Sequence, residues 1–203
     1  MSSPDGFYTI QKVAKIELKV KGSKFIGRAI PCLTPEEAEE ILKNTRKEYY
    51  DATHHCYAYQ TGLGPTRRFR YSDSGEPSGT AGKPIYDQIK GKKLTNLIVI
   101  VTRYFGGTKL GTGGLTHAYS QAAGEVIAGA GMVQDFVTEE FTLLVSYNDY
   151  NAIERLTRKC GGQILKRGSK GQISAFSIKL RKSLVREFKE MALDVTSGRV
   201  KFG

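Results

Sequence analysis

Alternating apolar and charged side chains near the start of the chain predict a β-hairpin. In residues 14–20 every second side chain is apolar, which is the period of a half-buried strand. Gly22 and Ser23 supply a turn signal, and residues 24–30 predict the returning strand. We therefore expect an antiparallel strand pair in this part of the chain.

The rest of the first half mixes helices and strands. A capping signal at Thr34, followed by apolar residues spaced three and four apart, predicts a helix. Strands are predicted at residues 54–60 and 68–72, and the unbroken aliphatic run at residues 97–101 is typical of a strand covered on both faces. Apolar residues again recur every three or four positions in residues 115–130, which predicts a long helix.

The pattern changes in the later part of the chain. Strand-like and helix-like segments follow one another in the order βαββαβ, the split-βαβ plan of a ferredoxin-like domain. Asn148 or Asp149 is predicted to cap the first helix of this part, and Ser183 the second. We therefore expect an α+β protein with two domains, residues 1–134 and residues 135–203.

The composition is that of a globular protein with a basic surface. Hydrophobic residues make up 39% and charged residues 25% of the 203 residues, which argues against extended disorder. There are 31 lysines and arginines against 20 aspartates and glutamates, a formal net charge of +11. Basic clusters at residues 67–70, 90–93 and 166–170 spread this excess along the chain, so we expect attraction to an anionic partner such as nucleic acid.

Other features argue against several classes of protein. The longest uncharged apolar run is far shorter than the ~20 residues of a membrane-spanning helix. The opening residues have neither the basic start nor the apolar stretch of a signal peptide. Cys32, Cys56 and Cys160 form an odd and scattered set, which fits neither a disulfide framework nor a zinc knuckle. We therefore predict a cytoplasmic protein without a membrane partner.

The first segment with candidate chemistry is residues 51–59. Because side chains alternate along a strand, His54 and Cys56 are expected on one face and His55 on the other. The first two have the residue types to share a metal or to activate the thiol, and a buried cysteine beside a hydrogen-bonded histidine is the alternative. His117 is distant in sequence, so neither a complete metal site nor another cofactor is predicted.

The second segment, residues 71–84, is rich in glycine and proline and indicates a structured loop. Asp73 and Glu76 are candidates for acid–base chemistry or for binding a hard cation, with the capping of turns and of the next helix as the alternative role of Asp73. Lys83 follows a glycine as in a phosphate-binding loop. Prolines replace two residues that a Walker A motif needs, so no nucleoside triphosphatase is inferred.

The third segment, residues 102–114, lies between the buried strand and the long helix. Its glycines let a ligand approach the backbone, and the free N–H groups at a helix N-terminus attract anions. We favour this interpretation over a merely tight connection between strand and helix. The predicted anion- or nucleic-acid-binding residues are Lys83, Arg103, Gly106, Gly107, Lys109, Gly111, Gly113 and Gly114.

Three motifs in a fixed order join these segments. They are D-A-x-H-H-C from Asp51, S-D-x-G-E-P-x-G-T-A-G-K-P from Ser72 and R-Y-x-G-G-x-x-L-G-x-G-G-L from Arg103. In this combination the chain strongly resembles the IMPACT/YigZ family over nearly its whole length. The resemblance implies a functional surface that includes His54, His55, Asp73, Glu76, Lys83, Arg103 and Lys109.

The resemblance also implies a fold for each domain and a cellular role. The first domain is expected to resemble domain IV of elongation factor G, with its ribosomal-protein-like βαβ fold, and the second its ferredoxin-like domain V. Eukaryotic relatives restrain a kinase of the amino-acid starvation response through an additional N-terminal domain, which we do not recognise in this sequence. For bacterial members the resemblance implies a cytosolic protein associated with nucleic acid or the ribosome.

Two functions stay open from the residues themselves, and the family resemblance alone adds a third, that of a regulatory protein partner. In the first, the protein binds RNA, the ribosome or a protein partner in translational control, and four aromatic residues are candidates for stacking on bases: Tyr57, Tyr59, Tyr104 and Phe105. In the second, it is a hydrolase or transferase that acts on a phosphorylated small molecule, with one of the two adjacent histidines as base and the carboxylates as acid or metal ligands: His54, His55, Asp73 and Glu76. The sequence decides neither between them nor on the oligomeric state.

Overall fold

The computed structural model describes residues 5–203, which divide into two units. The first unit comprises residues 7–135, and the second comprises residues 136–203 together with Asp5 and Gly6. Residues 1–4, on which the expectation about a signal peptide partly rests, lie outside the described residues. No helix within residues 5–203 is both long enough and apolar enough to span a bilayer.

A five-stranded antiparallel sheet forms the framework of the first unit. In chain order the elements that lie wholly or mainly in this unit are β1 (Gly6–Ile10), β2 (Ala14–Val20), β3 (Ser23–Pro31), α1 (Pro35–Glu48), β4 (His54–Thr61), β5 (Arg68–Ser72), α2 (Gly82–Gly91), β6 (Leu97–Tyr104), α3 (Gly111–Ala130) and β7 (Met132–Phe136). The spatial order of the sheet is β2-β3-β6-β4-β5, so β5 is an edge strand and β6 is central. The predicted hairpin of β2 and β3 is confirmed.

Different helices cover the two faces of this sheet. α2 and α3 pack on one face, where Val99 and Val101 of β6 enter the larger core. α1 packs on the other face, against Ile98 and Ile100. β6 therefore has no side that faces solvent, which explains its unbroken aliphatic run and confirms the prediction of a strand buried on both faces.

Two element boundaries differ from the predicted ones, and both bear on function. β6 continues to Tyr104, which places Arg103 inside the sheet. α3 begins at Gly111, within the glycine-rich segment and before the first residue of its apolar stripe. The pattern also does not predict β1 and β7, which pair with each other.

The second unit has the predicted βαββαβ order. Its elements are β8 (Thr138–Ser146), α4 (Tyr150–Lys159), β9 (Gln163–Lys170), β10 (Ile173–Arg181), α5 (Val185–Val195) and β11 (Lys201–Phe202). Antiparallel pairing gives the spatial order β11-β8-β10-β9. Both helices contribute to one core, in which Ile153 of α4 and Phe188 of α5 are buried with Phe176 of β10.

The predicted helix caps of this unit are wrong. A short 3-10 turn precedes each helix, and Asn148 and Ser183 lie inside these turns. Asp149 stands at the N-cap position of α4, but its side chain makes no capping hydrogen bond there. The Asp149 carboxylate instead accepts hydrogen bonds from Arg199, at 2.7 Å, and from Ser146. The two hydrogen bonds keep the pKa of Asp149 below its usual value, and the bond from Arg199 has the larger effect.

Candidate functional site

The three sequence segments meet at one end of the sheet of the first unit. His54 begins β4 and lies directly opposite Arg103 of β6 in the strand register. The loop between β5 and α2 carries Asp73 and Glu76, and the Glu76 carboxylate reaches both strands. The tertiary structure thus brings together residues that are far apart in sequence.

A buried ion pair lies at the centre of this cluster. Arg103 Nη1 donates to Glu76 Oε1 over 2.7 Å, and the side chains are only 5% and 4% exposed. Tyr119 of α3 donates its hydroxyl to the same Oε1 over 2.7 Å, and Arg103 Nη2 donates to Ser23 Oγ over 3.1 Å. Burial raises the pKa of Tyr119, so its hydroxyl remains a donor.

Arg103 therefore differs from the free surface cation that the sequence analysis expects. Its charge is neutralised by Glu76, because a guanidinium withdrawn from water needs a counter-charge. The group stacks near the rings of Phe25 and Phe105, with its central carbon 5.4 and 5.5 Å from their centroids. The third nitrogen, Arg103 Nε, is buried and has no hydrogen-bond partner within the described residues.

His54 joins the cluster, and Cys56 lies beside it. His54 Nδ1 lies 3.0 Å from the carbonyl oxygen of Ser74, and its Nε2 lies 3.8 Å from Glu76 Oε2. Cys56 Sγ donates to the carbonyl oxygen of Asp73, and burial raises the pKa of this thiol to about 12. The thiol is thus protonated near neutral pH, which fits the predicted alternative of a buried cysteine beside a hydrogen-bonded histidine.

Asp73 holds the loop in place. Its carboxylate accepts hydrogen bonds from the backbone N–H groups of Gly79, Ala81 and Gly82, each at 2.8–2.9 Å. The N–H groups of Ala81 and Gly82 lie at the start of α2, so Asp73 caps this helix from the preceding loop, which is the alternative role that the sequence analysis gives it. Both oxygens of this carboxylate are therefore engaged by the backbone of its own loop.

His55 and Lys83 lie apart from the cluster. His55 points to the other side of the sheet, as strand alternation predicts, with Nδ1 3.2 Å from Thr102 Oγ1. Burial lowers the pKa of His55, and the nearby Arg46 lowers it further. Lys83 is exposed in the first turn of α2 and forms an ion pair with Asp87 over 2.6 Å. Neither residue contacts the Glu76–Arg103 pair.

The glycines of the third segment differ in what requires them. Gly106 is required by packing, since a Cβ there would come within 1.9 Å of the backbone of Gly22. Gly113 is different, because its φ is ordinary and a Cβ would meet no atom within 4 Å. Neither backbone conformation nor packing requires a glycine at this exposed position. The other glycines have a positive φ or a neighbouring side chain: Gly107, Gly111 and Gly114.

A pocket of about 260 Å³ adjoins the cluster at the N-terminus of α3. Its lining residues come from the loop, the end of β6 and the helix start: Glu76, Pro77, Arg103, Phe105, Lys109, Leu110, Gly111, Thr112 and Leu115. The helix start has no side-chain cap, and Lys109 is exposed and forms no ion pair with any described residue.

Residues 5–203 contain no group of three His, Cys, Asp or Glu side chains placed to hold a metal.

Sequence reasoning missed Tyr119 as part of this site. Its spacing places it in the apolar stripe of α3, where it is fully buried. One signal was present, because a tyrosine hydroxyl among alanines and aliphatic residues needs a hydrogen-bond partner once buried. That the partner is Glu76 depends on the path of the loop.

Comparison with known proteins identifies the family of this site. Residues 21–127, which include all three motifs, match the model of the Impact N-terminal domain. The chain belongs to the IMPACT family. It is 30% identical over 193 residues to the IMPACT family member YvyE of Bacillus subtilis (strain 168), covering 95% of this chain and 88% of that protein. It is 34% identical over 148 residues to the IMPACT family member YigZ of Escherichia coli (strain K12), covering 72% of each.

A solved structure shares the architecture of this IMPACT protein. A crystal structure described as that of a hypothetical protein matches with a TM-score of 0.71 and 29% sequence identity. The match covers 98% of this chain and 96% of that one. The α+β fold is therefore common to both proteins over almost their whole length.

Proposed function

We propose that this IMPACT-family protein is a cytoplasmic RNA- or ribosome-binding protein that acts in the regulation of translation, with a protein partner in translational control as a further contact. The observation that carries the proposal is the open N-terminus of α3 beside Lys109. Gly111 and Thr112 of the first turn line the same pocket as Lys109, and a phosphate group bound there would suit both the free N–H groups of a helix N-terminus and an ammonium group.

The chemistry of the neighbouring residues supports an anion as the ligand. Gly113 leaves the first turn of α3 bare, so that a phosphate can approach the backbone. The net charge of +11 attracts a polyanion from a distance.

The family and the two units support the link to translation. The family resemblance implies a first unit like domain IV of elongation factor G and a second unit like its ferredoxin-like domain V, with the boundary near residue 135. The element order β8-α4-β9-β10-α5-β11 supports the second assignment. Because elongation factor G acts on the ribosome, domains of these two kinds suit a protein that contacts ribosomal RNA.

The experiment measures the affinity for a labelled single-stranded RNA by fluorescence anisotropy over a range of salt concentrations. We expect affinity to fall steeply with salt, and Lys109→Gln to reduce the slope of log K against log salt by about 0.7. Gly113→Ala should weaken binding several-fold, because a methyl group crowds the exposed amides. The controls are Lys12→Gln and Gly129→Ala, which lie at the opposite end of α3.

These controls separate a local effect from a change in total charge or in helix stability. Lys12 is an exposed lysine without an ion pair among the described residues, and Gly129 is an exposed helical glycine at which a Cβ meets only ordinary contact. The proposal requires the variants at the N-terminus of α3 to bind more weakly than their controls. A folded protein that does not bind RNA at low salt, or equal effects in both pairs, refutes it.

A hydrolase or transferase acting on a phosphorylated small molecule is the second candidate. One observation favours it: Glu76, with His54 Nε2 3.8 Å away, lines the same pocket as Lys109. The imidazole would act as the general base. Purified protein is tested for turnover of phosphoesters with added divalent metal. Turnover that His54→Ala abolishes supports an enzyme, whereas the absence of turnover, or turnover unchanged in that variant, excludes this mechanism.

A further inference from the structure

Two neighbouring aromatic rings on the edge strand β5 are about half exposed. Phe69 is 54% and Tyr71 is 42% exposed, although both lie in the sheet. Each stacks on Tyr86 of α2, with ring centroids 4.8 and 5.7 Å apart and interplanar angles of 15° and 24°. We call Phe69, Tyr71 and Tyr86 the aromatic platform.

Tyr86 fixes the orientation of this platform. Its hydroxyl donates to Gln60 Oε1 over 3.1 Å, and Gln60 in turn donates to the backbone of Leu94. The Tyr86 ring is therefore held by the buried part of the unit, and it supports the two outer rings. Rings that are already ordered lose little conformational entropy when a planar ligand stacks on them.

Basic residues without an ion pair lie close to the aromatic platform along the chain. Lys90 lies one helical turn after Tyr86 on the same face of α2, and Arg67 stands two positions before Phe69, directly ahead of β5. Four exposed basic residues, just before β5 and at the end of α2, form no ion pair within residues 5–203: Arg67, Lys90, Lys92 and Lys93. Arg68 and Arg70 alternate with the two rings along β5 and therefore point to the other face of the sheet. Nearby, Asp87 is paired with Lys83, and Glu39 with Arg70.

Protection of the sheet edge explains the charges but not the rings. Charged side chains on an edge strand prevent pairing with other chains, and Arg68 and Arg70 suffice for that. Half-exposed Phe69 and Tyr71 work against solubility, so their exposure points to a ligand. Aromatic faces beside unpaired cations match the two parts of a single-stranded nucleic acid, its bases and its phosphates.

We propose that the aromatic platform binds the bases of single-stranded RNA, while Arg67 and the lysines at the end of α2 bind its phosphates. This inference rests on the proposed RNA-binding function and adds a surface separate from the N-terminus of α3. It also replaces part of the stacking set expected from the sequence, because Tyr57 and Tyr59 are only 3% and 6% exposed. Stacking on these rings is independent of base identity, since every base has a π-face.

The test compares an oligouridine RNA with an oligomer of equal length that carries abasic sites. Phe69→Leu and Tyr71→Leu keep an apolar side chain but remove the ring. We expect each to weaken oligouridine binding about 5- to 150-fold and to leave binding of the abasic oligomer unchanged. Tyr50→Leu is the control, since Tyr50 is 84% exposed and lies outside the platform.

The two ligands separate failure of this inference from failure of the proposed function. If the wild-type protein binds both oligomers equally and in a salt-dependent way, RNA binding stands and base stacking is refuted. If it binds neither, the proposed function fails as well. The platform is also refuted if both leucine variants bind oligouridine as tightly as the wild type does. Thermal unfolding of each variant verifies that it is folded. Duplex RNA should bind more weakly than oligouridine, because its bases are already stacked.

Discussion

The buried pair of Glu76 and Arg103 yields a sharp prediction about stability. Glu76→Gln preserves the shape of the side chain and an oxygen that can accept from Arg103 Nη1 and Tyr119. It removes the negative charge and leaves a guanidinium that is only 5% exposed without a counter-ion. Removal of one partner from a buried ion pair costs about 3–5 kcal/mol. Because the Gln oxygen still accepts hydrogen bonds, we expect a loss near the lower limit, about 3 kcal/mol.

A double-variant comparison tests this explanation. Arg103→Met in the Glu76→Gln background removes the unpaired charge, so the double variant should be less destabilised than the sum of the two single changes. The control is Asp87→Asn, which breaks the exposed ion pair with Lys83 and should change the free energy of unfolding by about 0.5 kcal/mol or less.

Urea unfolding provides the free energies. Because the chain has two units, hydrogen exchange of the β6 amides identifies the transition that belongs to the first unit. Glu76→Gln protein that unfolds within about 1 kcal/mol of the wild type would show that the guanidinium is solvated or finds another acceptor, contrary to the cost of a buried unpaired charge.

Three further predictions follow from the same structure. Iodoacetamide should label Cys160 first, because Cys160 is partly exposed, whereas Cys32 and Cys56 are buried and burial raises the pKa of both thiols to about 12. Intact mass spectrometry measures the order of labelling, and early labelling of Cys56 would contradict this prediction. Because the pKa of Asp149 is lowered from its usual 3.8, the ionised carboxylate stabilises the fold at pH values above 3.8, and this contribution is lost as the pH falls through the lowered pKa. The urea midpoint of Asp149→Asn should therefore change less with acid pH than that of the wild type. Gly106→Ala should destabilise by about 1–3 kcal/mol, since the new methyl group meets the Gly22 backbone; an unchanged unfolding midpoint would contradict that packing.

Local patterns in the sequence predict most of the elements and part of the site. The period of two in β2 and the three-and-four spacing in α3 are properties of single segments, so they can be read without the fold. The same local rule assigns His54 and His55 to opposite faces of β4, because neighbouring side chains alternate. The three motifs also suffice to identify the IMPACT family.

Only the tertiary structure decides which polar groups meet. Glu76 neutralises Arg103 from a loop that is distant in sequence, and the fold buries both, so a residue that looks like a surface cation becomes part of the interior. Asp73 becomes a helix cap because the loop returns its carboxylate to the start of α2. Conversely, β5 lies at the sheet edge, which leaves Phe69 half exposed. Periodicity is encoded in neighbouring residues, whereas charge pairing and exposure depend on distances that exist only once the chain has folded.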